Sequence, residues 1–117
     1  SVTLLASRRA IELAGNVALM ATGFGAAFVP LIQQLDDAVN PALMAIGSGQ
    51  STQSALMTIY ATVIGVLTVL KATPGLPQAE LAQIDGYLAA AQAGTAAYIQ
   101  AASGFNEANY APVTPIV

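Results

Sequence analysis

Charge is so scarce in this sequence that any fold it adopts must leave apolar surface looking for cover. Nine residues carry a formal charge: Arg8, Arg9, Glu12, Asp36, Asp37, Lys71, Glu80, Asp85 and Glu107. Between Glu12 and Asp36 lie 23 uncharged positions, and between Asp37 and Lys71 lie 33 more. Charged residues make up 8% of the 117-residue chain, against roughly 25% in an ordinary soluble domain. Disorder is excluded, because it needs low hydrophobicity and high charge and this chain is 56% hydrophobic. Three basic residues and a net charge of −3 supply too few phosphate contacts for nucleic-acid binding. With no Cys and no His, disulfides, thiol chemistry, imidazole catalysis and the usual zinc ligands are all absent.

Glycine and proline divide the chain into an all-α bundle of about four helices, expected at 2–27, 30–46, 52–72 and 77–103, followed by an extended apolar C-terminal arm. The first ends near Gly23, Gly25 and Pro30. Pro30 suits the first turn of the second, where its missing N–H costs nothing, and Asn40-Pro41 is expected to bend or restart that helix. Gly47-Ser48-Gly49 reads as a loop, with Ser48 or Ser51 as N-cap of the third helix. Thr73-Pro74-Gly75-Leu76-Pro77 is the clearest break. Pro77 opens the fourth helix with Glu80 favourably placed in its first turn, and Gly104 follows its end. Residues 60–70 are rich in β-branched side chains but lack period-two alternation, so the run reads as helix rather than strand.

On the fourth helix Leu81, Ile84, Leu88, Ala91, Thr95, Tyr98 and Ala102 follow three-four spacing and define one face. Small residues recur four apart beside it, at Gly86, Ala90 and Gly94. The first helix has a similar line at Ala10, Ala14, Ala18, Thr22 and Ala26, and the third has Ser54, Thr58 and Thr62 with Ala61 and Gly65 alongside. Such lines let backbones approach closely, within one bundle or between subunits. Ala10, Ala14, Ala18, Gly86, Ala90 and Gly94 are therefore packing or assembly candidates. The segment after the bundle (1–104) is the arm, 105–117. Asn106, Asn109, Pro112 and Pro115 prevent it from forming one regular helix, yet Tyr110, Val113 and Ile116 keep it apolar. Each buried Val or Ile stands to gain roughly 1.5–3 kcal/mol, so the arm is expected to lie in a groove, on its own subunit or on a neighbour.

Catalytic constellations are missing, and no catalytic, cofactor or metal residue is expected. Asp36 and Asp37 are neighbours whose side chains diverge by roughly 100° on a helix, which suits a solvated turn better than a shared proton. Glu80 and Asp85 do not share a face. In Gly47-Ser48-Gly49-Gln50-Ser51-Thr52, Gln50 stands where a phosphate-binding loop needs Lys. Arg8 and Glu12 are four apart, a spacing that lets them pair on the first helix or instead fix register between subunits.

Three functions remain. The first is a non-enzymatic structural subunit that self-assembles through apolar, small-residue helix faces, as a filament, an appendage or a virion or tail component, in an extracellular assembly or a virion. Its partners would be copies of itself or other apolar subunits, with lipid possible and nucleic acid excluded. The second is a small membrane protein with a two-helix hairpin built from runs 13–32 and 55–70, resembling in general plan the small holins or hydrophobic pilins. Arg8, Arg9 and Lys71 flank those runs as the positive-inside rule requires. The third is a helical carrier of an apolar ligand. Ser7-Arg8-Arg9-Ala10-Ile11 also resembles a twin-arginine export signal, but Glu12 is poorly placed and no small-x-small site follows, so the segment reads as the first helix.

Overall fold

Heptad spacing of buried side chains organises all four helices. The computed structural model describes residues 2–48 and 53–104. They form α1 (Val2–Thr22), a short 3-10 turn (Ala26–Phe28), α2 (Val29–Gly47), α3 (Gln53–Lys71) and α4 (Gln78–Gly104), with no strand among the described residues. The chain is an all-α bundle of four helices. α1 buries Ser7, Ala10, Ala14, Val17 and Ala21, and α2 buries Leu35, Ala38 and Ala42. α3 buries Leu56, Ile59, Tyr60, Val63, Val66, Leu67 and Leu70, and α4 buries Ile84, Ala91 and Tyr98. Steps of three, four and seven keep each seam on one side of its helix and favour nearly aligned packing.

Helix directions follow from which residues share a groove. Residues 5–9 of α1 line one with Tyr60 of α3 and residues 94–98 of α4. Residues 11–18 of α1 line another with residues 35–39 of α2. Lys71 pairs with Asp85 while Tyr60 meets Gly94, so α3 and α4 run antiparallel, and short connections between packed neighbours make the bundle up-down-up-down. α1 and α3 each pack against all three other helices, and α2 and α4 flank them. In a square bundle α1 and α3 would be diagonal and apart. Here α1 presents mostly alanine where α3 presents Leu, Ile and Val, and this complementarity of size allows the close diagonal approach.

Several boundaries differ from the sequence expectation. α1 stops at Thr22 rather than 27, because the backbone closes on itself: Gly23 N donates to Met20 O (3.1 Å) and Phe24 N to Ala21 O (3.0 Å), while Thr22 Oγ1 donates to Leu19 O (2.6 Å). Gly25 at φ 107° then turns the chain, a conformation L side chains rarely adopt. Edge-to-face packing of Phe24 on Phe28, centroids 5.5 Å apart, fills the corner. α2 continues through Pro41 without restarting. The carbonyl that loses its donor belongs to Asp37, and both residues are exposed, so the gap lies on the solvent side. Ser48 closes α2 instead of capping α3, its Oγ donating to Ala45 O at 3.0 Å; Ser51 lies outside the described residues. Pro77 precedes α4 rather than starting it, its carbonyl accepting from Glu80 N and Leu81 N, both at 3.1 Å. Gly75, at φ 75°, makes the turn before it.

Candidate functional site

The small-residue candidates separate into inner and outer sets. Ala10 and Ala14 are fully buried in the core and Ala18 is half-buried, so this line is used within the bundle. On α4 the line is divided. Gly86 and Ala90 are exposed, whereas Gly94 lies against α3: a Cβ there would sit 2.6 Å from the Tyr60 Oη. Tyr110, Val113 and Ile116 lie outside the described residues. On α3 Ser54, Thr58, Ala61, Gly65 and Thr68 are exposed and Thr62 is half-buried. The hydroxyls of Thr58, Thr62 and Thr68 donate to carbonyls four residues back at 2.7–2.9 Å. Their hydrogen bonding is turned into the helix, which makes this face less polar than its composition suggests.

Charged groups do not converge on a site. Among the described residues no cluster of three or more carboxylates could hold a metal ion. Asp36 and Asp37 are exposed in mid-helix on α2, not in a turn. The ion pair within 4.0 Å among the described residues is Lys71–Asp85 (2.8 Å), not Arg8–Glu12. It joins the end of α3 to α4, and with both side chains half exposed it is worth about 0–1 kcal/mol.

What the sequence missed is the placement of large apolar side chains on the outside. Leu5, Leu43, Met44 and Ile99 are about half exposed or more, and all lie toward the end where α1 and α3 begin. Leu19, Val29 and Val69 are similarly exposed and lie toward the opposite end. The middle turns present Arg8, Arg9, Glu12, Asn16, Gln33, Gln34, Asp36, Asp37 and Gln92 among small residues. Exposed polar residues lie beside these side chains as well as between them, with Gln53, Ser54 and Gln100 at one end and Lys71, Glu80 and Asp85 at the other. Finding the exposed apolar side chains requires the helix alignment, which no local pattern encodes.

A groove of about 260 Å³ lies between α1, α3 and α4. Leu5 and Tyr98 form apolar walls, Tyr60 and Gly94 the floor, and Arg9 one rim. Burial pushes the Tyr60 phenol above its ordinary range, partly offset by the positive Arg9. A folded-state value above the unfolded one means that the neutral phenol stabilises the fold fully below the unfolded value of about 10, and this contribution is lost as the pH rises through the folded value. The melting temperature of the native chain should therefore fall more steeply above that pH than that of Tyr60→Phe. Parallel alkaline melting curves would assign the loss to other groups.

Comparison with known proteins returned no match to this chain, whether among family models, curated proteins or solved structures.

Proposed function

We propose that this chain is a non-enzymatic structural subunit that assembles with copies of itself into a filament, appendage, or virion or tail component, located in an extracellular assembly or a virion. The observation that carries this reading is the exposure of large apolar side chains toward both ends: Leu5, Leu43, Met44 and Ile99 at one, Leu19, Val29 and Val69 at the other. Two different surfaces that meet head to tail generate an open stack rather than a closed pair. Fully burying a Leu, Val or Met side chain gains about 1.5–3 kcal/mol. These seven are already partly buried, so they would together supply on the order of 7 kcal/mol. That is comparable to the loss of rigid-body freedom on association, so assembly should be reversible and dependent on concentration.

The membrane alternative is supported by α3, Gln53–Lys71, which is long and apolar enough to cross a bilayer with a mean hydropathy of 1.7. Three features weigh against a two-helix hairpin. The run 13–32 is interrupted after Thr22, α3 packs on all three other helices, and Arg8, Arg9, Glu12, Asp36 and Asp37 are exposed where a spanning bundle would meet lipid. A carrier is less well supported, since the grooves of about 260 and 310 Å³ lie at or below the low end of the roughly 300–1,000 Å³ of small-molecule pockets.

The test is expression without detergent, followed by sizing and negative-stain microscopy. Ordered particles are expected from the native chain. Met44→Glu at one end and Leu19→Glu at the other should each disperse them while leaving the helical circular dichroism signal unchanged. Partition of the native chain into membranes would support the hairpin instead. Empty, dispersed monomers at all concentrations would overturn assembly.

A further inference from the structure

Leu5, Ala97 and the Tyr98 ring make the groove between α1, α3 and α4 largely apolar, but two of its lining residues carry polar groups, Arg9 and Tyr60. Only 4% of Tyr60 is exposed, and among the described residues its hydroxyl makes no hydrogen bond. No polar side-chain atom among those residues is both fully enclosed and unpartnered. The hydroxyl therefore holds what little exposure Tyr60 has, on the groove that the residue lines. Gly94 keeps that opening clear, because a Cβ there would sit 2.6 Å from the Oη. Arg9 is exposed and has no carboxylate within 4.0 Å among the described residues. Burial outweighs the nearby positive charge at Tyr60, so the phenol keeps its proton through neutral pH and can donate it.

A guanidinium only donates hydrogen bonds, and a phenol donates readily, so the pair suits a group that accepts and is negative. One cation and one neutral donor match a single charge spread over two oxygens. A phosphate would leave oxygens unpaired against the apolar walls, which is costly. We propose that this groove binds a small organic carboxylate with an apolar body, an aryl or short alkyl acid, whose oxygens accept from Arg9 and the Tyr60 Oη while the body lies against Leu5, Ala97 and the Tyr98 ring. Size agrees with this class. A cavity of about 150 Å³ holds benzene, so a groove of about 260 Å³ takes about ten non-hydrogen atoms, fewer than the drug-sized ligands of larger pockets. The site stands without the assembly reading, because one copy supplies every residue of it.

Phenylacetate is the probe, titrated against the native chain with ligand-observed saturation-transfer NMR, which reads dispersed and assembled protein alike. Binding is expected with a dissociation constant on the order of 0.1–1 mM. Phenylacetamide, of the same shape without the charge, should bind about tenfold more weakly or worse. Arg9→Gln should weaken phenylacetate about tenfold and Tyr60→Phe about fivefold or more. Arg8→Gln removes the same charge from a residue outside the groove lining and should leave binding unchanged. Circular dichroism checks that each variant keeps its helices. No saturation transfer at about 10 mM phenylacetate would overturn the site. Equal binding of the amide would overturn the carboxylate class. Equal effects of Arg8→Gln and Arg9→Gln, or binding indifferent to Tyr60→Phe, would overturn the assigned donors.

Discussion

Gly94→Ala is expected to destabilise the fold by about 1–3 kcal/mol, while Gly86→Ala, on the same helix, is expected to stabilise it by about 0.5–1 kcal/mol. The substitution is identical and the intrinsic helix preference favours Ala at both sites. Contact decides the sign. A Cβ at Gly94 would lie 2.6 Å from the Tyr60 Oη, 3.0 Å from Cζ and 3.1 Å from Cε1, whereas at Gly86 nothing lies within 4 Å. Tyr60 cannot simply swing aside, since only 4% of its surface is exposed and it packs in the central cluster. Either the ring shifts or α4 retreats from α3, and both loosen the α3–α4 seam. Ala90→Leu, at an exposed position, should change folding stability by less than about 0.5 kcal/mol. Thermal and urea melts of the three variants read this directly. Equal effects at positions 86 and 94 would mean that Tyr60 has room to move.

The same three positions show what a sequence can and cannot convey. Gly86, Ala90 and Gly94 form one line by spacing, and nothing local separates them. Their environments diverge because the buried seam of α4 runs through Ile84, Ala91 and Tyr98; Gly94 turns toward α3 only where Tyr60 reaches across. That seam itself was legible, since a run of three-four spacing has one low-energy way to face a core. The break at residues 73–77 was equally plain from its prolines and Gly75. The end of α1 was not. Pro30 drew the expected boundary toward 27, whereas Gly23 and Gly25, with Thr22 turned back on its own helix, carried the stop signal. Pro41 does not restart α2, because Leu35, Ala38 and Ala42 anchor the helix on both sides of it and tertiary packing outweighs the lost hydrogen bond. The exposed apolar side chains toward the two ends depend on how four helices are aligned, and the sequence specifies that alignment only through the packed core.

Leu67→Ala should cost about 2–5 kcal/mol, a large share of the 5–15 kcal/mol that stabilises a typical domain. Leu67 is fully buried on α3, with Val63, Val66 and Leu70 in the same cluster. Removing its branched end leaves a cavity that helices held on three sides cannot collapse to fill. Val69 is 50% exposed, so Val69→Ala should cost less than about 1 kcal/mol. The contrast also tests what surrounds α3. A helix whose outer surface met lipid would hold both side chains in an apolar medium, and truncating either would lose packing against hydrocarbon alone. In dispersed copies in water the two positions would differ sharply, because one faces the core and the other is half exposed. Urea denaturation without detergent should show a much lower midpoint for Leu67→Ala at unchanged slope, and almost no shift for Val69→Ala. Similar shifts for both would contradict the position of α3 as the core helix.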